Sequence, residues 1–490
     1  MKSTFVRSKL LAVGAVLVAV ALAVSSCGKK PAKTSPGDNM EGGSGIKHVE
    51  PEVVGSAPNE PQTSEQPDYV SVVRSELPSD VTDDPNTPED ERLEHLPPND
   101  ERRIEAGFEE YKEFRKEAEV PDDPETLPVS LGGLTADAEF YGGNGDVPDD
   151  PNAPVITKTD KGRRVRVWYG TNRAFVDPKD PSKGFSNDRE LGPTALHVGS
   201  VICDVPDSRP VGTTGSGWVT RLIKGEDDRI KISQIFVDDE DLMFRQIARR
   251  LELAPENQRA IVIYVHGYKN SFQSAALRAA QLAVDLNVPG LTAFYSWPSR
   301  DEISEYNADE AAVETAEKHL KHFLVRMAKD TNASKVHIIA HSMGNRVLAR
   351  VMQRIMSSED TKDIKFGQII LAAPDIDTEV FYELAAAYPK LSDRTTLYVS
   401  QKDKALEASA WSHSFHRAGY CPPVAVLPPI DTIEVTNIDV SVLGHGYVAE
   451  AENVLFDIAM MIRQDTPPDK RPRLNASKTA EGKGFWVLQK

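Results

Sequence analysis

Five residues near the middle of the chain have the types and spacing of a nucleophile: Ala340-His341-Ser342-Met343-Gly344. A serine on a sharp turn between a buried strand and a helix presents its hydroxyl above the sheet. Small residues two before and two after let strand and helix pass closely, and the helix then points its positive end at the charge that develops on an attacked carbonyl. About 75 residues earlier, another apolar strand runs into His266-Gly267-Tyr268-Lys269-Asn270. A His-Gly turn at that place lets the backbone N–H of Tyr268 join that of Met343 as an oxyanion hole. The chemistry these groups would perform is acyl transfer through Ser342.

The elements that must position them are legible around the two motifs. From about Val155 the texture becomes short apolar runs rich in Val, Ile and Tyr, alternating with amphipathic stretches. That is the pattern of strands and crossover helices. Strands are expected at 164–169, 200–204, 230–236, 260–265, 291–297, 335–340, 367–373, 395–400 and 432–436. After Ala308 one apolar stripe joins Val313, Ala316, Leu320, Phe323, Leu324 and Met327, and after Ser342 another joins Val347, Leu348, Val351, Met352 and Ile355. Each predicts a helix covering a sheet face, and a last helix is expected over 448–462. The fold class that follows is α/β, a doubly wound, mostly parallel sheet of about eight strands over residues 156–465. Residues 466–490 are a polar tail with no assigned structure.

The front of the chain differs. Residues 1–27 have a basic start, an apolar run over 10–24 and then Ser25-Ser26-Cys27-Gly28, the layout of a secretory signal. The run is short of the ~20 residues that span a bilayer. Small residues ahead of the cysteine resemble the lipobox of bacterial lipoproteins, which implies lipidation at Cys27 and a place in the cell envelope, at the outer membrane in a Gram-negative host. Residues 28–155 hold 17 of the 34 prolines and carry 31 acidic against 11 basic residues. They read as a disordered acidic tether, with a helical stripe at 100–120. The net charge of −18 therefore belongs to the tether. The folded part is near neutral, which gives no nucleic-acid signal. Cys203 and Cys421 could pair in an oxidising compartment, a point left open by sequence. No metal-ligand spacing, P-loop or dinucleotide fingerprint appears, so neither cofactor nor metal is expected.

Tyr169-Gly170-Thr171-Asn172-Arg173, Val265-His266-Gly267-Tyr268, Ser296-Trp297-Pro298, His341-Ser342-Met343-Gly344-Asn345 and Gly444-His445-Gly446 together resemble a bacterial lineage of alpha/beta hydrolases, domain of unknown function 900, over about 160–465. The resemblance implies the chain order nucleophile, acid, histidine. Asp403, at the end of a predicted strand, then takes the acid's place, with Asp375 as the alternative; either could instead cap the next helix. His445, between two glycines after the last strand, becomes the base, with His413 and His416 as alternates. His266 and Trp297, near the carboxyl edge of the sheet, are possible pocket residues, and Asn172 and Arg173 are either a turn or part of the pocket. The expectation is an envelope-anchored serine esterase with a small-molecule or lipid ester as substrate. An acyltransferase with the same triad and a catalytically silent scaffold are the rival readings.

Overall fold

The computed structural model describes residues 155–192, 195–216, 227–302, 305–413, 415–435 and 451–489. The signal segment with Cys27, the tether up to residue 154 with its stripe at 100–120, and His445 lie outside the described residues.

The strands are β1 (Ile156–Thr159), β2 (Gly162–Thr171), β3 (Arg173–Phe175), β4 (Phe185–Arg189), β5 (His197–Pro206), β6 (Lys231–Asp238), β7 (Ala260–Val265), β8 (Gly290–Ser296), β9 (Lys335–His341), β10 (Phe366–Ala372), β11 (Ser392–Val399), β12 (Asp431–Glu434), β13 (Leu474–Lys478) and β14 (Gly484–Leu488). The helices are α1 (Glu240–Glu252), α2 (Phe272–Leu286), α3 (Tyr306–Thr315), α4 (Glu317–Lys329), α5 (Gly344–Met356), α6 (Thr378–Leu384), α7 (Tyr388–Leu391), α8 (Lys404–His413) and α9 (Glu452–Gln464).

One sheet of 12 strands carries the fold, and its neighbours run parallel from β14 through β12, β11, β10, β9, β7 and β8 to β2. Seven of those eight were expected from the sequence; β14 was not, and the expected strands at 200–204 and 230–236, here β5 and β6, run antiparallel. The additions are antiparallel: β1 and β5 on β2, β6 on β5, and β13 on β14. Central strands such as Ala-Ile-Val-Ile-Tyr-Val of β7 are apolar throughout because helices cover both faces. Apolar residues of α1, α3, α4 and α5 pack on one face, and those of α2 and α9 on the other.

All the stripe residues after Ala308 are buried, although the helix breaks at Ala316 into α3 and α4. The five stripe residues of α5 are buried as well. The polar tail proves to hold a hairpin: β13 and β14 fold on each other, and β14 joins the sheet beside β12. Cys203 and Cys421 are both buried, in the clusters on opposite faces, and no disulfide joins them, so the pairing left open by sequence is not made. Among the described residues no helix is long and apolar enough to cross a membrane.

What matters for the site is the strand order. In space β7 has β8 on one side and β9 on the other, so the chain changes its direction of travel across the sheet after β8. Loops that leave the sheet at such a point diverge and open a crevice at the carboxyl ends of the strands. The two motifs of the sequence leave β7 and β9, and they meet there.

Candidate active site

Ser342 stands between β9 and α5 with φ at 52°, and it is 2 % exposed. That left-handed conformation costs a non-glycine residue about 1–2 kcal/mol. Burial of the apolar face of α5, worth about 1.5–3 kcal/mol for each large side chain, outweighs it several times. Hydrogen bonds fix the turn. The Ser342 N–H donates to the Ala372 carbonyl (2.9 Å), and the Ser342 carbonyl accepts from the amides of Asn345 (3.0 Å) and Asp375 (3.2 Å). The Asn345 side-chain amide braces the same turn from inside, donating to the carbonyls of Ala340 (3.0 Å) and Ser342 (3.1 Å).

Two glycines are steric requirements here. A Cβ on Gly344 would lie 2.5 Å from the His266 carbonyl oxygen, and one on Gly267 would lie 2.6 Å from Cβ of Ser342. The loop after β7 is therefore packed directly against the serine. Met343 is fully buried at the N-cap of α5, where the first amides of a helix have no intrahelical acceptor. Tyr268 is half-buried, its hydroxyl donating to the Glu302 carbonyl (3.0 Å).

A buried cation holds that loop. Arg173 is fully enclosed, with Nε donating to Ser296 Oγ (2.8 Å), Nη1 to the Ser299 carbonyl (3.1 Å) and Asn187 Oδ1 (3.0 Å), and Nη2 to the Asn270 carbonyl (2.6 Å). Burial pulls its guanidinium down to about 9 against the pull of Asp309, Asp301 and Tyr295. Asp309, buried on α3, accepts from Ser299 Oγ (2.5 Å), Arg300 N (2.7 Å) and Lys269 N (3.3 Å), and burial raises its carboxyl. The two charges stitch the loops after β7 and β8 together without touching each other. Asn172, whose Oδ1 accepts from Tyr295 OH (2.9 Å), and Arg173 are thus inside the protein as clamps on the end of β8.

His266 completes the stitching. Burial first, then the Arg173 charge, hold its imidazole down to about 3, so the ring is neutral. Its two nitrogens each face a carbonyl, Nδ1 that of Gly267 at 2.8 Å and Nε2 that of Trp297 at 3.1 Å, with the Ser296 hydroxyl 3.3 Å from Nε2. Trp297 stacks on the ring at 4.9 Å and donates Nε1–H to the His266 carbonyl (2.8 Å). Both are fully enclosed; they form the support beneath the loop and expose no surface to a ligand.

The two candidate acids differ sharply. Asp375 follows β10, and its oxygens accept from Tyr306 OH (2.6 Å) and Ser409 Oγ (2.7 Å), with Arg417 at 3.4 Å and Arg346 at 3.5 Å. Burial alone would raise its carboxyl. The Arg346 charge, the hydroxyls of Tyr306 and Ser409 and the Arg417 charge together outweigh burial and hold it below the ordinary value. Asp403 follows β11, fully buried, with Oδ1 accepting from the amides of Ala405 (3.1 Å) and Leu406 (3.0 Å) in the first turn of α8. His416 is spent on Thr378 Oγ1 (3.2 Å) and the Pro422 carbonyl (3.1 Å). The side chain of His413, like all of His445, lies outside the described residues.

Sequence reading missed Asp309, Tyr306, Arg346, Ser409 and Arg417. Asp309 had a signal: it lies three residues after Tyr306 and four before Val313, on the inward face of α3. The others meet only through the fold.

With this geometry in hand, comparisons add the family. Residues 244–464 match the model of the family described as alpha/beta hydrolase of unknown function (DUF900). Among solved structures, the chain is similar to a hyperthermophilic esterase from the archaeon Pyrobaculum calidifontis, at 14% identity over 43% of this chain and 77% of that one, TM-score 0.26. It is also similar to a "predicted CIB-like hydrolase" from Thermoplasma acidophilum, at 16% identity over 43% of this chain and 89% of that one, TM-score 0.25. No curated protein is similar enough to count as a match.

Proposed function

We propose that this chain, an alpha/beta hydrolase by the family matched over residues 244–464, is a serine hydrolase of carboxylic esters with Ser342 as nucleophile. The observation that carries the reading is Ser342 itself, held at φ 52° on a strand-to-helix turn at the point where the strand order reverses, with the Gly267 loop packed on it. His445 takes the proton from Ser342 Oγ as Oγ attacks the ester carbonyl, and the amides of Tyr268 and Met343 hold the negative oxygen. The alcohol leaves with the proton from His445. Water, deprotonated by the same histidine, then attacks the acyl-enzyme and releases a carboxylate. Asp403 orients the imidazole and stabilises its charge; Asp375 is less suited because both its oxygens already accept from hydroxyls and two arginines flank it. The enzyme is held in the cell envelope by lipid on Cys27, with the acidic tether as its leash.

The test is hydrolysis of p-nitrophenyl esters from acetate to palmitate by the full chain and by Ser342→Ala, with fluorophosphonate labelling of both. A loss of roughly 10⁴-fold or more in kcat, and of labelling, is expected in the variant. Labelling without ester hydrolysis would move the reading to an acyltransferase, and no labelling at all would leave a silent scaffold.

A further inference from the structure

Beside the elbow, between α3–α4, α5 and the segment entering α6, lies a second hollow, which neither Ser342 nor Asp403 lines. Its aliphatic wall is made by Val313, Val347, Ile376 and Val380. The carboxylates around it are engaged. Glu310 pairs with Arg346, Glu314 with Arg350 at 2.9 Å and Glu317 with Arg354, while Asp377 caps α6 through the amides of Glu379 (3.0 Å) and Val380 (3.1 Å).

Arg417 also has a carboxylate partner, Asp375 Oδ1 at 3.4 Å from its Nε, but one of its nitrogens is left over. It reaches the hollow from a segment that runs antiparallel to 374–378, through Ala418 N–H to the Ile376 carbonyl (2.9 Å) and Thr378 N–H to the His416 carbonyl (3.0 Å). It is 3 % exposed; Nε donates to Ser409 Oγ (3.1 Å), and Nη2 is buried with no hydrogen-bond partner. A buried guanidinium N–H left unmet is costly, and Arg417 is among the residues that line the hollow.

We propose that this hollow binds a small organic carboxylate with a short apolar tail. One carboxylate oxygen takes Nη2 of Arg417 in a charge-assisted hydrogen bond, and the tail lies on the four aliphatic side chains. The surrounding glutamates oppose a dianion such as phosphate. The ligand class is also that of the acid released by the reaction proposed above, but the site rests on its own residues and stands without that reaction.

Calorimetric titration of acetate, butyrate, hexanoate and phosphate into the full-length Ser342→Ala protein separates the two ideas, since no turnover is involved. Saturable binding that tightens from acetate to hexanoate is expected, with phosphate weaker. Arg417→Met should weaken hexanoate at least about tenfold. Val380→Trp, at the 39 % exposed rim, fills the hollow without touching the partners of Arg417, and should abolish binding in a protein that unfolds normally. Absence of saturable binding by any carboxylate, phosphate binding as tight as hexanoate, or hexanoate binding unchanged in Val380→Trp would each overturn the proposal. Loss of esterase activity in the wild type would leave it standing.

Discussion

Asp375 and Asp403 leave neighbouring strands, β10 and β11, at the same edge of the sheet, and they are 3 % and 0 % exposed. Burial does not distinguish them; what surrounds each carboxylate does. Asp375 sits among two guanidiniums and two hydroxyls, and its own amide holds the Ser342 carbonyl. Its charge is used to keep the elbow in shape. Asp403 has one oxygen on the amides of Ala405 and Leu406 in the first turn of a helix, which fixes the carboxylate. The proposed division of labour, Asp403 orienting the base and Asp375 bracing the structure, therefore rests on the cations and hydroxyls around Asp375.

The largest effect that tests this contrast is on turnover. Asp403→Asn is expected to lower kcat for p-nitrophenyl butyrate by about 10⁴-fold, with little change in thermal unfolding because asparagine still caps a helix. If Asp375→Asn gives that loss instead, the two roles are exchanged. Asp375→Asn should act on stability, costing about 3 kcal/mol in urea unfolding because it leaves Arg346 and Arg417 buried without their counter-charge, while kcat stays within tenfold.

Acid titration sharpens the same point. The folded carboxyl of Asp375 lies below its ordinary value, so the unfolded chain takes up a proton first as pH falls. The stability it contributes is complete above about pH 4 and disappears as pH drops through the folded value. Urea midpoints measured from pH 5 down to 2.5 should therefore fall less steeply in Asp375→Asn than in the wild type. The smallest expected change is for Tyr306→Phe, which removes one hydroxyl from Asp375 at a cost of about 1 kcal/mol.

The parallel core and the elbow were legible because both depend on local patterning: β7 is a continuous apolar run, β9 and β10 carry Ile338-Ile339-Ala340 and Ile369-Ile370-Leu371-Ala372, and the stripe of α5 follows Ser342 directly. The hairpin β13–β14 carries Phe485, Trp486 and Val487, but five residues of strand beside polar neighbours give a weak signal, and pairing with β12 makes up the rest. The clamps were hidden for another reason. Arg173 reaches Asn270, 97 residues away, and Arg417 reaches Asp375 from beyond α6, α7, β11 and α8. No spacing rule relates such residues, so a charged side chain in a short motif reads as a turn or a pocket until the fold shows what it grips. His266 and Trp297 were possible pocket residues, with Trp297 alternatively packing, because position along the strand locates a side chain at an edge without telling which side of the loop it takes; both are buried.

The closing hairpin has a consequence for how the molecule behaves in company. The matched family stretch ends at residue 464, and β14 pairs with β12 only after it. A chain shortened at that boundary would offer the backbone of β12 as an unpaired template to any second copy. With the hairpin in place, the described residues instead present β13, Leu-Asn-Ala-Ser-Lys, five residues long and mostly polar. The hairpin therefore works as a stopper against strand-by-strand polymerisation.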